Sequence, residues 1–425
     1  MANKSISELL ADNADLTRYE DLYKHFHSHP ELSLQEKQTA STIASHLESL
    51  KAGYELHTSI GGHGLAGVLS NGSGPIVLLR ADIDALPVEE LTGLPYASKV
   101  IMKDVADGVD KPVMHACGHD MHITCLLAAA DQLAHLKSAW QGTLIVLFQP
   151  NEERAAGAQT MVDDGLYKKI PSPDVVLGQH VMPLRSGSVG NRAGTIMGAA
   201  DSFKVTLYGR GGHGSMPHRS VDPVVLAANV VLRLQNIVSR EVDPADMAVV
   251  TVGSIHAGAT ENVIADYAEL RINVRSTTTQ TRQRVLAAIR RIIKAECEAA
   301  NSPKEPLIVE TSRFPLTIND ADVASRLASS FGDHFGQDFD PNTPTVNGSE
   351  DVSVLATSVD KPYNFWFVGM ADPQVWDLAE KEGQLFEKVY ANHSGHFAPV
   401  VQPTLKRGFE ALCVAALTFL ERKAV

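Results

Sequence analysis

Short, continuously apolar runs are the feature of this sequence that most constrains its fold. They occupy residues 75–79, 143–148 and 174–177, and a further run covers residues 363–368. Strands without polar alternation are buried on both faces, as in a mostly parallel sheet. Residues 123–136, between the first two runs, have the composition of a packed helix. This alternation of strands and helices predicts an α/β domain.

The pattern changes near residue 200, where Phe203, Val205 and Leu207 alternate with polar residues as in a half-exposed antiparallel strand. A helix, two strands, a helix and a strand are predicted next, at residues 222–241, 247–255, 267–275, 281–300 and 306–309. The order βαββαβ is that of a small α+β domain with a ferredoxin-like, split-βαβ plan. We therefore predict that residues 200–312 form a domain inserted into an α/β domain made of residues 1–199 and 313–425.

Composition limits the kind of partner. At 425 residues the chain is too long for one ordinary hydrophobic core, so two domains are expected. The net charge of -13 argues against nucleic acid, whose phosphates such a surface would repel. No apolar run is long enough to span a bilayer, no signal peptide is visible, and four cysteines are too few for a disulfide framework. We expect a cytoplasmic protein that acts on a small molecule, away from membranes.

Chemically active side chains follow the apolar runs. Asp82, Glu152, Glu153 and His180 all come shortly after a predicted strand. Ligands of open α/β sheets bind at the carboxyl ends of the strands, so these groups converge if the strands are neighbours. A loop that contains a cysteine and a histidine leads into the predicted helix. Thiolate, imidazole and carboxylate together suit zinc and its neighbours in the transition series, so the sequence predicts a metal site.

Each of these residues also has a simpler interpretation. Cys117 and His119 are two positions apart and cannot share a helix face, although an extended loop with a glycine can turn both toward one point. Taken alone, they could be a buried inert cysteine and a surface histidine. Glu152 and Glu153 are adjacent and point different ways, which suits one metal ligand and one base, or else a solvated surface pair. His180 could be a core histidine bonded to a backbone carbonyl.

Several ordered motifs extend over nearly the whole chain. They are residues 27–33 (HSHPELS), 80–87 (RADIDALP), 115–120 (HACGHD), 149–153 (QPNEE), 211–218 (GGHGSMPH), 262–264 (NVI) and 348–351 (GSED). With these motifs the chain resembles the amidohydrolase branch of the dinuclear metallopeptidase superfamily. That branch contains hippurate hydrolases, aminoacylase-like enzymes and indole-acetyl-amino-acid hydrolases.

The resemblance implies hydrolysis of an N-acyl amino acid with two divalent transition-metal ions per subunit, manganese, zinc, nickel or cobalt. It implies Glu152 as the general base. The metal ligands implied by the resemblance are Cys117, His119, Glu153, His180 and His393.

The resemblance also assigns roles to the inserted domain, which would be a lid and a dimerisation domain. His213 and Asn262 would contact the substrate or stabilise the oxyanion. Arg275 would bind the substrate carboxylate, which a guanidinium group recognises well. A homodimer, possibly extended to a tetramer, is the implied assembly.

Three positions depart from the family pattern. The C-terminal ligand motif normally has a proline before an aromatic residue, but here a Ser-Gly pair follows His393, and His396 lies close enough to compete as the ligand. Ala265 replaces a proline after Asn-Val-Ile, and Val352 stands where phenylalanine is usual.

Other interpretations stay open. His115, Asp120 and His122 are expected to orient ligands from behind, Asp82 to orient a ligand or balance metal charge, and His27 to pack locally with its neighbours. The alternative functions are a dinuclear carboxypeptidase or dipeptidase, a thiol hydrolase with Cys117 as nucleophile and His119 as base, and a catalytically silent binding protein on the same scaffold.

Overall fold

The chain forms two compact units. The computed structural model describes residues 4–10 and 15–422. The larger unit comprises Met1–Ile196, Ile318–Pro344 and Asp351–Val425, and the smaller comprises Met197–Thr317 and Thr345–Glu350. Within the described ranges, no helix combines the length and apolar character needed to cross a membrane.

The helices, in chain order, are α1 (Ile6–Leu10), α2 (Thr17–Ser28), α3 (Lys37–Ser49), α4 (His119–His135), α5 (Gly157–Asp163), α6 (Leu166–Lys169), α7 (Pro223–Asn236), α8 (Thr279–Ala299), α9 (Ala321–Phe335), α10 (Ser353–Thr357), α11 (Pro373–Glu382), α12 (Leu385–Lys388) and α13 (Val401–Phe419). Short helical turns of other types lie at Lys137–Ala139, Pro217–Arg219, Ile237–Glu241 and Gly336–Asp338.

The strands are β1 (Glu55–Ile60), β2 (Gly64–Asn71), β3 (Ile76–Asp82), β4 (Ile101–Lys103), β5 (Asp110–Pro112), β6 (Trp140–Gln149), β7 (Val175–Arg185), β8 (Val189–Gly190), β9 (Gly194–Met197), β10 (Ala199–Tyr208), β11 (Gly212–His213), β12 (Ala248–Ala257), β13 (Val263–Ile264), β14 (Tyr267–Ser276), β15 (Leu307–Phe314), β16 (Thr317–Asn319), β17 (Phe339–Asp340), β18 (Tyr363–Ala371) and β19 (Glu421–Arg422).

A mixed sheet forms the centre of the larger unit, in the order β1-β2-β6-β3-β7-β18-β8-β17. Its four middle strands, β6, β3, β7 and β18, are parallel, and β2 joins β6 antiparallel. The middle strands are the continuously apolar runs of the sequence, and β18 is buried along its whole length. Helices α4 and α13 pack on this sheet and complete the larger hydrophobic core. The predicted α/β fold with a mostly parallel sheet is confirmed.

The smaller unit has the predicted βαββαβ order. Its antiparallel sheet runs β12-β14-β10-β15, and α7 and α8 pack against it around a second hydrophobic core. Asp222 caps α7 by accepting a hydrogen bond from the Val224 N–H, and Pro223 occupies the first helical turn. The ferredoxin-like fold class is therefore confirmed.

Several element boundaries differ from the sequence predictions, and two of the differences, each of four residues or more, matter for the fold. Strand β15 continues to Phe314 rather than ending at residue 309, because it pairs with β10 along an exposed edge where polar side chains are tolerated. Helix α4 begins at His119 rather than at residue 123. The smaller unit also includes residues 345–350, which no sequence signal indicated.

Candidate metal centre

Neighbouring parallel strands of the larger unit bring the predicted ligands together. Asp82 is the last residue of β3 and lies opposite Gln149, the last residue of β6. The turn after β6 then carries Glu152 and Glu153. His180 lies within β7 and not at its end, because β7 continues beside β18 as far as Arg185. The side chains still converge, since β7 neighbours β3 in the sheet.

A left-handed glycine places the cysteine and the histidine of the third motif. Gly118 has φ of +83° and sits between Cys117 and His119, the first residue of α4. A Cβ on Gly118 would lie 2.3 Å from Val181 Cγ2, so only glycine fits. The turn brings Cys117 Sγ to 3.4 Å from His180 Nε2. Cys117, His119 and His180 can all offer donor atoms within 4.8 Å of one another.

A second group of donors shares the same cysteine. Glu153 Oε2 lies 3.4 Å from His393 Nε2, and Glu153 Oε1 lies 3.8 Å from His119 Nε2. Cys117, Glu153 and His393 form a compact group of potential ligands, and so do His119, Glu152 and Glu153. The competing residue His396 instead stacks its ring on Tyr390, at 4.7 Å between ring centroids, and belongs to no such group of described residues.

Hydrogen bonds fix which nitrogen of each histidine can bind a metal. His119 Nδ1–H donates to the Asp84 carbonyl at 2.8 Å, and His180 Nδ1–H donates to the Val181 carbonyl at 2.7 Å. Each ring therefore presents its Nε2 lone pair to the cluster. His122 differs, because its Nε2 accepts the Val181 N–H and its Nδ1–H donates to Asp82 Oδ1 at 2.6 Å. With both nitrogens engaged, His122 orients Asp82 and has no lone pair left for a metal.

Asp82 is itself held from two sides. Besides His122, it accepts a hydrogen bond of 2.7 Å from Arg80 Nη1. Arg80 is buried, and its Nε also donates to Gln149 at 3.0 Å while its Nη2 lies 3.4 Å from Asp351 Oδ1. This buried guanidinium balances part of the negative charge beneath the cluster.

The donor set fits a divalent transition metal. His119 Nε2 and Glu153 Oε1 are buried and have no hydrogen-bond partner among the described residues, although an unpaired buried polar atom is costly. Burial lowers the pKa of His119, but Asp82, Asp84 and Glu153 outweigh it and raise the value to about 10, so without a metal the ring holds a proton at Nε2, which a metal ion would replace. These acidic groups would stabilise a cation among them. Sulfur, nitrogen and oxygen donors in this combination suit zinc, manganese, nickel or cobalt.

The geometry does not favour a thiol hydrolase. Burial, followed by the charges of Glu153, Glu152 and Asp82, raises the pKa of the Cys117 thiol well above its usual value. A cysteine nucleophile needs a lowered pKa and an adjacent base. The imidazole nitrogen at hydrogen-bond range of the sulfur belongs to His180 and not to His119, the base that the thiol-hydrolase alternative requires.

Sequence reasoning missed three residues around the cluster. Asp84 supplies the carbonyl that fixes His119, and the only sequence signal was its position two residues after Asp82. Asn392 donates from Nδ2 to the Cys117 and Val181 carbonyls at 3.4 and 3.3 Å. His27 was expected to pack locally. It instead bridges two buried acids, Asp120 and Glu90, a role that the motif of residues 27–33 does not indicate.

The remaining predicted site residues belong to the smaller unit. His213 is exposed and lies in β11, and its Nδ1 accepts the Ser215 N–H at 3.1 Å. Asn262 is also exposed, and its carbonyl accepts the Gly214 N–H at 2.8 Å, so these two residues lie near each other.

Arg275 is half-buried near the end of β14. It donates to Asn273 Oδ1 at 3.0 Å, to the Asn347 carbonyl at 3.3 Å and to Ser349 Oγ at 3.0 Å. All three acceptors are neutral, and burial lowers the pKa of Arg275 from its ordinary value.

Comparisons with known proteins identify the family. The sequence model of Peptidase family M20/M25/M40 matches residues 78–382. A hippurate hydrolase from Campylobacter jejuni is 40% identical over 321 residues, which cover 74% of this chain and 79% of that protein. Thermostable carboxypeptidase 2 from Saccharolobus solfataricus is 32% identical over 406 residues, 93% of this chain and 94% of that protein.

Solved structures show the same fold. The YXEP protein of Bacillus subtilis, described as a dinuclear metal-binding peptidase, has a TM-score of 0.72 and 27% identity, with 94% of this chain and 97% of that chain covered. Since the family model spans more than half of the sequence, this chain belongs to Peptidase family M20/M25/M40 and is an amidohydrolase.

Proposed function

We propose that this amidohydrolase cleaves the amide bond of N-acyl amino acids and releases a carboxylic acid and an amino acid. The observation that carries the proposal is the shared cluster of Cys117, His119, His180, Glu153 and His393 with a further carboxylate next to it in sequence. Similarity to a hippurate hydrolase supports the substrate class, because hippurate is an acyl group joined to glycine by an amide bond.

Two divalent ions of manganese, zinc, nickel or cobalt would be held by those five ligands. Cys117, His119 and Glu153 each belong to two of the three groups of donors described above, which supports room for more than one ion. When bound, the ions would supply a Lewis acid for the scissile carbonyl and lower the pKa of the attacking water.

Glu152 would act as the general base. It would take a proton from the attacking water and deliver it to the leaving amine nitrogen. Its neighbour Glu153 faces His119 and His393, so the two adjacent carboxylates have different surroundings. Glu152 is only 5% exposed, which limits proton exchange with bulk water during the reaction.

Residues of the smaller unit would bind the substrate. Because His213 Nδ1 accepts a backbone N–H, the ring proton is on Nε2, which can donate to an oxyanion together with the Asn262 amide. Arg275 has no carboxylate partner among the described residues and keeps a full charge for the amino-acid carboxylate.

A homodimer joined through the smaller unit, in the cytoplasm, completes the proposal. The outer face of α7 supports it, since Val225 and Leu232 are 57% and 70% exposed. Apolar patches of this kind on a surface commonly mark protein contacts.

A metallo-carboxypeptidase or dipeptidase that acts on short peptides is the second candidate, favoured by the similarity to the Saccharolobus carboxypeptidase. Peptides and N-acyl amino acids both have an amide bond close to a free carboxylate, so Glu152 and Arg275 would keep their roles. The substrates of the two candidates differ in the group on the acyl side of the scissile amide bond. Values of kcat/KM for hippurate, N-acetyl amino acids and dipeptides, measured side by side, separate them.

The test combines elemental analysis with hydrolysis assays before and after chelation. We expect roughly two equivalents of transition metal, activity lost on chelation, and activity restored by manganese, zinc, nickel or cobalt. Glu152→Gln should retain the metal and lose roughly 10²–10⁴-fold in kcat. Glu55→Gln is the matched control, because Glu55 is 75% exposed. Hydrolysis that is indifferent to chelator, or a Glu152→Gln variant with normal turnover, would overturn the assignment.

A further inference from the structure

The turn that presents the two adjacent glutamates is strained. Asn151 and Ala155, on either side of them, both have φ of +57°, in the left-handed region that residues other than glycine rarely adopt. The turn is closed by a 2.7 Å hydrogen bond from the Ala155 N–H to the Glu152 carbonyl. Such conformations persist only where the surroundings over-determine them.

Two buried carboxylates hold this turn by its backbone. The Asn151 N–H donates to Glu36 Oε1 at 2.8 Å, and the Glu153 N–H donates to Asp84 Oδ2 at 3.1 Å. Glu152 lies between these two anchored peptide groups. Glu36 is fully buried and Asp84 is 1% exposed, so both contacts are shielded from water.

One short segment contains Glu36 and also contacts Asp84, and this segment has no role in the proposed mechanism. Ser33 Oγ donates to Asp84 Oδ2 at 2.7 Å, and three residues later Glu36 reaches Asn151. Glu36 Oε1 also accepts the Leu34 N–H at 2.9 Å, which fixes the carboxylate relative to its own chain. The loop before α3 is thereby tied to the turn after β6.

A purely structural role would not require a carboxylate at Glu36. Its Oε2 has no hydrogen-bond partner among the residues described, and burial, followed by the charge of Asp84, raises the pKa of Glu36 to about 8. An apolar side chain would avoid that desolvation cost. The acceptor atom facing Asn151 is what an apolar side chain could not supply.

We propose that Glu36 is a positioning residue that, together with Asp84, clamps the Asn151–Ala155 turn and so aims the Glu152 carboxylate. This inference rests on the proposed role of Glu152 as the base. Glu36 touches neither substrate nor metal ligand side chain in this scheme, and it acts through the backbone of Asn151.

The experiment compares three variants at Glu36 with the wild-type enzyme and with Glu152→Gln, using hippurate and manganese. Glu36→Gln keeps an oxygen acceptor at the same distance along the side chain, and Glu36→Met removes the acceptor. Glu36→Asp shortens the side chain by one methylene, so its oxygens lie farther from the Asn151 N–H. Measurements are kcat, KM, metal content and the pH profile of kcat/KM. The aspartate variant keeps the test decisive if the methionine variant does not fold.

We expect Glu36→Met and Glu36→Asp to lose roughly 10²-fold in kcat with little change in KM, as a misplacement of about 1 Å does. The acid limb of the pH profile should shift in both, whereas Glu36→Gln should stay near wild type. If a variant were only partly folded, its kcat/KM would fall by the same factor at every pH, and the acid limb would stay at the same pH. Normal kcat in the aspartate variant, an unshifted limb, or a glutamine variant as slow as the others would overturn the clamp. Full activity of Glu152→Gln would instead overturn the proposed base, and the clamp with it.

Discussion

At the scale of single residues, His27 is a buried cation between two acids. Its Nδ1 lies 2.7 Å from Asp120 Oδ2 and its Nε2 lies 3.0 Å from Glu90 Oε1, and the side chains of both His27 and Glu90 are fully buried. Burial lowers the pKa of His27, but Asp120 and Glu90 outweigh it and raise the value from 6.5 to about 9. The protonated form is therefore the stabilising one.

The stability of the larger unit should fall as pH rises through this pKa. Because the folded pKa exceeds the unfolded one, the contribution is complete below about pH 6.5 and is lost as pH rises through about 9. A difference of this size corresponds to about 3 kcal/mol. The free energy of unfolding in urea, measured from pH 6 to 9.5 for wild type and His27→Gln, gives the contribution by subtraction. His135→Gln is the exposed control, and a wild-type minus His27→Gln difference that stays flat across this range would refute the prediction.

At the scale of elements, the start of α4 sets the position of two ligands. Gly118→Ala should destabilise the larger unit by about 2–4 kcal/mol, from the left-handed backbone and from overpacking against Val181. Gly383→Ala is the matched control, because Gly383 has φ of +66° and no atom within 4 Å of the added Cβ. Gly383→Ala should lower the free energy of unfolding by only about 1 kcal/mol. Denaturant unfolding and metal content test both, and equal costs with equal metal content would contradict the packing argument.

The same helix start shows what the sequence could and could not predict. Continuous apolar runs predicted β3, β6, β7 and β18, because a strand that is buried on both faces consists almost entirely of apolar residues. The α4 start was placed four residues too late, since a glycine turn that depends on Val181 leaves no local pattern. Family membership was predictable from motifs and is confirmed.

Contacts that use the backbone were beyond sequence reasoning. The strand ends predicted that Glu153 and His180 would gather with the Cys-Gly-His loop, and the family resemblance implied His393. The structure places Cys117, His119, Glu153, His180 and His393 together. Nearly every residue has a backbone carbonyl and N–H, so a sequence does not show which of them bind a particular side chain. The hydrogen bonds of His119 to the Asp84 carbonyl and of Glu36 to the Asn151 N–H are therefore visible only in the structure. The roles of His213, Asn262 and Arg275 stay predictions.

At the scale of the whole molecule, two separate hydrophobic cores imply two cooperative units that respond differently to metal. All five candidate ligands belong to the larger unit, and so do the three tryptophans, Trp140, Trp366 and Trp376. Tryptophan emission therefore reports the unit that would bind metal. Calorimetry reports both units, because heat is absorbed wherever a core unfolds.

Manganese at roughly 100 times its dissociation constant should stabilise the larger unit by about 2.7 kcal/mol, because it binds the folded and not the unfolded chain. For a unit of this size, with ~2.1 cal/mol/K of unfolding entropy per residue, that is a rise of roughly 4 °C in the transition followed by tryptophan emission. The heat absorbed by the smaller unit should stay at its own temperature, since none of the five candidate ligands lies there. Cys117→Ala removes a donor that belongs to two of the three donor groups and should abolish the shift. If manganese raised both transitions equally in that variant, the stabilisation would arise outside the cluster of Cys117, His119, Glu153, His180 and His393.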